Sequence, residues 1–177
     1  MEDSDEGRIL KIFEDRLVPL KKFQENLWEL RQCDIAFDHS NDEHRNEIIR
    51  GHLWIGDAFT KGNEGFDAIV SLGDTEGIYV TYPGIAYHRI VAQDNNSADL
   101  LQYFDATCDF IHQHKRVLVH CQAGVSRSPT ICIAYLMKYH GLFLEGAYMC
   151  VKGARRIICP NMAFMKQLIA YEAQLLK

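Results

Sequence analysis

Apolar residues in this chain come in two alternating rhythms. Short runs bounded by turn residues, Leu53–Ile55, Ala68–Leu72, Ile85–Val91 and Val117–His120, read as strands, and a further strand at Glu47–Arg50 joins the first through Gly51-His52. Elsewhere the apolar positions fall at helical spacing. They do so over about Ala98–His114, through Leu100, Leu101, Phe104, Cys108 and Ile111, then over Pro129–Tyr139, Leu144–Arg155 and Asn161–Leu176. A small helix is expected near Ala58–Asn63. Strands alternating with helices predict an α/β fold: a central, mainly parallel sheet of roughly four to five strands, flanked by helices and covered on both faces. Val117–His120 is expected at its centre, because it is apolar throughout and leads directly into the most unusual loop of the chain.

Residues 1–46 stand apart as a helical extension and linker, with the main domain expected over 47–177. Helices are predicted at Ile9–Leu17 and Leu20–Cys33, broken at Pro19, and His39–His44 reads as polar linker. In the second helix Leu20, Phe23, Leu27 and Leu30 form a stripe. Packing on the main domain is the plain expectation for it; the alternative is a partner or self-association surface over residues 8–33.

Composition narrows the function. The chain has 177 residues, enough for one domain with a full core, and its 47% hydrophobic and 24% charged content is that of a soluble globular protein. No apolar run nears the length of a membrane span, and the acidic start Met1-Glu2-Asp3-Ser4-Asp5-Glu6 carries neither a secretory signal nor a myristoylation site. The net charge of −5 argues against nucleic acid or a membrane surface as partner. The histidines show no metal-site spacing, so no metal or other cofactor is expected.

The candidate chemistry lies in His120-Cys121-Gln122-Ala123-Gly124-Val125-Ser126-Arg127-Ser128. A strand enters this loop and a helix leaves it, an arrangement in which successive backbone N–H groups converge on an anion at a helix N-terminus. Cys121 stands where that positive end favours a thiolate nucleophile, and Arg127 can grip phosphate oxygens bidentately. Gly124 lets the backbone approach a ligand, and Gln122, Ala123, Val125 and Ser126 are expected to bind substrate through their amides, not their side chains. Ser128 is placed either to reach the sulfur or to cap the helix. A leaving oxygen also needs a proton, so a carboxylic acid should follow a strand and face the loop. Asp94 and Asp99, after the Ile85–Val91 run, are the local candidates. Cys33, Cys108, Cys132, Cys150 and Cys159 are expected to be ordinary buried thiols, and Arg155 and Arg156, with Lys152, a solvated helix end, the alternative being a positive rim near the loop.

The loop resembles the signature of the cysteine-dependent protein tyrosine phosphatases, His-Cys, five residues, then Arg-Ser, and its wording is similar to that of the dual-specificity branch. The resemblance extends to Glu47-Ile48-Ile49, Leu53–Gly56, Ala68–Leu72, the segment around Asp94, and Pro160-Asn161 with Phe164 and Gln167-Leu168. Many relatives have Arg-Pro where this chain has Arg155-Arg156. The resemblance implies a phosphatase-type α/β fold with Cys121 as nucleophile, Arg127 as phosphate clamp, Asp94 as general acid and Ser128 assisting the departing thiolate. It also implies that His120 orders the loop and that Asn161 is a helix cap or structural hydrogen-bonder. The implied substrates are phosphotyrosine and phosphoserine or phosphothreonine in phosphorylated proteins, and the implied location is cytoplasmic or nuclear. Two alternatives stay open: the same chemistry on a phosphoinositide, phosphoglucan or RNA 5′-phosphate, and a phosphoprotein-binding pseudophosphatase.

Overall fold

Among the described residues, five strands assemble around the run Val117-Leu118-Val119. The computed structural model describes residues 4–15, 42–60, 65–74 and 81–177. Strands β1 (Arg45–Ile49), β2 (Leu53–Gly56), β3 (Ala68–Gly73), β4 (Ala86–Val91) and β5 (Val117–His120) lie in the order β1-β2-β5-β3-β4. Among the described residues only β1 and β2 pair antiparallel; the other neighbours are parallel. Val117 of β5 sits opposite Leu53 and Ala68, and His120 opposite Gly56 and Ser71. This register gathers the carboxyl ends of β2, β3 and β5 along one edge, where ligands bind in sheets of this kind.

The helices are α1 (Asp5–Asp15), α2 (Phe104–Gln113), α3 (Arg127–His140), α4 (Leu144–Ala154) and α5 (Met162–Leu175), with a 3₁₀ turn at Leu101–Tyr103 before α2. The first eleven residues of α3, Arg127 to Met137, are all buried, so this helix is the axis of the core. It packs against α2, α4 and α5. Ile9 of α1 is fully buried in the same cluster, and the Phe13 ring meets Tyr148 of α4 edge-on at 5.2 Å.

Four expectations change. Among the described residues all five helices contribute to one core cluster, on one face of the sheet. The other face carries Phe66, Ile69 and Leu118 with Trp54, Ile85 and Tyr87 packed on them, and the Arg116 guanidinium lies 4.7 Å over the Trp54 ring. The helix expected from Ala98 starts later because Asn95 and Gln167 take the leading amides. Asn95 Oδ1 accepts from Ala98, and Gln167 Oε1 accepts from Leu100 and Leu101. At Ala58–Thr60 the chain turns about Asp57, with Phe59 N donating to Asp57 Oδ1 and Thr60 N to Asp57 O, and the rest of the helix expected to Asn63 lies outside the described residues. Strand β1 begins at Arg45, two residues before the expected Glu47. The stripe at Leu20, Phe23, Leu27 and Leu30, the start of the linker and Cys33 lie outside the described residues.

Candidate active site

The loop between β5 and α3 is shaped from its outer side. Ala58 N donates to Gln122 O at 3.2 Å, Arg155 to Ala123 O at 3.3 Å and Gly124 O at 3.0 Å, and Cys159 N to Val125 O at 2.7 Å. Thr130 holds Ser126 O through both its amide and its hydroxyl. Five successive carbonyls are thus engaged from outside the loop. In a trans peptide the carbonyl and the following N–H point opposite ways, so the amides of residues 123–127 are turned inward. Gly124 has φ +65, and a Cβ there would come within 2.8 Å of Gly56 O and 2.9 Å of Arg155 Nε. Only glycine fits.

Cys121 forms the floor of the loop and is 2% exposed. Gly124 N donates to its sulfur at 3.3 Å, and Ser128 Oγ lies at the same distance. The helix begins at Arg127, so the cap position falls to Ser126, and Ser128 lies within the first turn, fully buried. Of the two roles open to Ser128, the structure therefore places it against the sulfur and not at the cap.

Ser126 departs from expectation, since its side chain is used. Its hydroxyl donates to Asp94 Oδ1 at 2.7 Å and accepts from Asn161 N at 3.1 Å. Asn161 Nδ2 donates to the same Asp94 oxygen at 2.9 Å, while Asn161 Oδ1 caps α5 by accepting from Phe164 N. The carboxyl of Asp94 is held against the loop by two neutral donors. Asp99 instead accepts from Gln102 N at the start of the 3₁₀ turn.

Arg127 is buried, and its outer nitrogen Nη1 donates to the Asp74 carboxylate and to Ala92 O at 3.0 Å. Its Nε has no hydrogen-bond partner, and the nearest carboxylate oxygen, Asp94 Oδ2, is 3.9 Å away.

Arg155 corrects the expectation of a solvated helix end. It is 4% exposed and, besides the loop carbonyls, donates to Asn46 Oδ1 at 2.9 Å and Glu43 O at 3.2 Å. Burial lowers its affinity for a proton, and the charge of Asp57, 3.8 Å away, opposes this. Asp57 also meets His44 Nδ1 at 3.1 Å. Arg156 stays exposed, and Lys152 turns inward to Ile158 O. Burial holds His120 below the usual histidine range, opposed by the Cys121 backbone and the Asp57 charge. Burial also pushes the Cys108 and Cys132 thiols up, which keeps them protonated, whereas Cys159 is only half-buried.

The sequence reading missed Asp57, Asp74, the Arg155 brace and the Ser126 hydroxyl; Asn161, expected as a helix cap or structural hydrogen-bonder, is both. Asp57 and Asp74 did carry a signal: each directly follows a strand ending at the edge where Cys121 follows β5. Among the described residues no group of three or more His, Cys, Asp or Glu is placed to hold a metal ion, and no helix is long and apolar enough to cross a membrane.

The family model "Dual specificity phosphatase, catalytic domain" matches residues 56–174. The chain belongs to the dual specificity phosphatase family. It is 49% identical over 98 residues to Dual specificity protein phosphatase 14 of Mus musculus, covering 53% of this chain and 50% of that one. To Dual specificity protein phosphatase 1 of Homo sapiens it is 41% identical over 135 residues, covering 70% and 36%. The chain thus spans half or less of the length of these curated relatives. A mouse putative dual specificity phosphatase solved with zinc tungstate superposes with TM-score 0.69 at 30% identity, over 77% of this chain and 91% of that one. The fold is accordingly the α/β fold of the protein tyrosine phosphatases.

Proposed function

We propose that this dual specificity phosphatase hydrolyses phosphotyrosine and phosphoserine or phosphothreonine in proteins through a phosphocysteine intermediate. The observation that carries the reading is the loop whose carbonyls from Gln122 to Ser126 are bound from outside, leaving its amides and the Arg127 edge to surround an oxyanion above Cys121. The Cys121 thiolate attacks phosphorus; the S–P bond forms as the P–O bond to the substrate breaks, and Asp94 gives its proton to the departing oxygen. Water then attacks the phosphocysteine, Asp94 takes the proton back, and phosphate leaves as the S–P bond breaks. Inward donors and Arg127 stabilise the charge that develops on the equatorial oxygens. A protein substrate is favoured over a polyanionic lipid or nucleic acid because Gln122, Ala123, Val125 and Ser126 add no charge to the loop. The chain is expected to act where its thiol stays reduced, in the cytoplasm or nucleus.

Steady-state hydrolysis of an aryl phosphate, with a chelator present, tests the chemistry. The wild-type chain turns over and Cys121→Ser does not; activity surviving in Cys121→Ser eliminates the covalent route. Phosphopeptides and phosphoinositides assayed side by side test the substrate class. Phosphopeptide binding without turnover by the wild-type chain would instead make it a pseudophosphatase.

A further inference from the structure

We infer that Asp74 is a positioning residue for Arg127: it holds the outer nitrogen of the guanidinium so that the remaining donors face the phosphate. The inference rests on the phosphate-binding role proposed above for Arg127.

A guanidinium carries five N–H groups in one plane, so fixing one nitrogen fixes the direction of the rest. Two of the five belong to Nη1, and both are occupied, one by the Asp74 carboxylate and one by Ala92 O at 3.0 Å. Nε, a separate donor in the same plane, is buried without an acceptor. Asp94 Oδ2, at 3.9 Å, is beyond hydrogen-bond reach of it. A buried N–H left unpaired is costly, and an oxyanion seated in the loop supplies the missing acceptor. The side chain thus has one edge bound to the protein and one edge held open.

Of the two acceptors on Nη1, the carboxylate is the stronger, because it is charged. Asp74 reaches it from the rim: its side chain is 60% exposed, while that of Arg127 is 6% exposed. The sheet makes this possible. Strand β3 lies beside β5 in parallel register, with Ser71 opposite His120, so the residue after β3 emerges next to the loop after β5. Asp74 therefore approaches the cation from the strand next to the loop and holds Nη1, while Nε is left for the oxyanion.

The test compares the full chain with Asp74→Ala and Asp74→Asn. Readouts are kcat and KM for p-nitrophenyl phosphate, competitive inhibition by inorganic phosphate, and the unfolding midpoint. In Asp74→Ala, KM and the phosphate inhibition constant rise together by about tenfold, the factor for losing one hydrogen bond to a charged group. Asp74→Asn keeps an acceptor oxygen and recovers most of the loss. Unfolding midpoints stay close to that of the parent, because Asp74 is mostly exposed. Unchanged phosphate affinity in Asp74→Ala overturns the inference. So does tighter binding, which would make Asp74 a competitor of the substrate. Calorimetric binding of inorganic phosphate to Cys121→Ser chains, with and without Asp74→Ala, addresses Asp74 even if no turnover is seen; absence of turnover in the parent counts against the functional reading alone.

Discussion

A general acid is useful only if its proton is aimed, and the carboxyl of Asp94, the acid proposed above, is oriented by Ser126 and Asn161, each donating to Oδ1. Its Oδ2 lies 3.9 Å from Arg127 Nε. Replacing Asn161 with Ser keeps an acceptor to cap α5 but removes the amide donor. Asn161→Ser is expected to lower kcat/KM about tenfold on phenyl phosphate, a fraction of what a general acid supplies in full. On 2,4-dinitrophenyl phosphate, whose leaving oxygen needs no proton, kcat/KM should hardly change, because that ratio excludes the later hydrolysis in which Asp94 takes a proton from water. An equal fall on both substrates would place the effect in the phosphate loop instead. Residues such as Cys121, Gly124 and Arg127 were legible in the sequence because the loop is local and each side chain works within it. Asp74 and Arg155 were not. Asp74 is brought to the site by strand register, of which its place directly after β3 is the trace in the sequence, and Arg155 by a helix end some thirty positions away (Gly124 to Arg155 is a separation of 31), an approach no local pattern encodes. Arg155 misled for a definite reason: at a helix end a cation is usually solvated, but this one finds outward-turned carbonyls to bind.

Among the elements, α3 carries the site at its N-terminus and the core along its length, so the loop is anchored to the best-packed part of the molecule. The acid-bearing segment is anchored differently. It leaves β4 at Ala92, turns at Asn95, and is tied to α5 by Gln167, whose Oε1 accepts from Leu100 and Leu101 and whose Nε2 donates to Ala98 O at 2.8 Å. Gln167→Ala leaves these backbone groups without those partners, and a destabilisation of about 1–3 kcal/mol is expected in urea unfolding. Gln167→Glu, which keeps the acceptor oxygens but loses the amide donor to Ala98, should cost less; equal costs would mean that the bonds to Leu100 and Leu101 matter little. Periodicity located the helix following this segment but not its start, since the amides that would have opened it are satisfied by Asn95 and by a side chain from α5. The β strands were read correctly in place and mostly in length. Which face each helix covers was not legible, because alternation within a strand tells that two faces differ without telling which elements lie on them.

At the scale of the whole molecule, its half-buried histidines and its paired carboxylates act on stability in the same direction. Burial holds His88, His120 and His140 below the ordinary histidine value of 6.5; His52 and His112 add to this at His140, while the Cys121 backbone and Asp57 oppose it at His120. Their neutral forms are the ones the fold accepts: His88 meets Thr107 Oγ1 at 3.0 Å and stacks on Phe110. When such a group is exposed by unfolding it takes up a proton more readily, so the unfolded chain binds more protons and stability falls as pH drops below 6.5. The carboxylates follow at lower pH. Hydrogen bonds from Lys138 and Tyr171 hold Asp105 below 3.8, and those from Lys138 and Tyr139 do the same for Asp109. At Asp67 burial acts upward, but backbone donors at Arg116 and Lys115 outweigh it. The stability they contribute is present above 3.8 and is lost as pH falls through their folded values. Thermal unfolding followed against pH should therefore show a midpoint that is level near neutrality, declines from about pH 6.5, and drops again in the carboxylate range. His88→Gln, which can keep a polar contact to Thr107 without titrating, should flatten the first decline. A midpoint unchanged down to about pH 5 would show that these imidazoles gain protons as easily inside the fold as outside it.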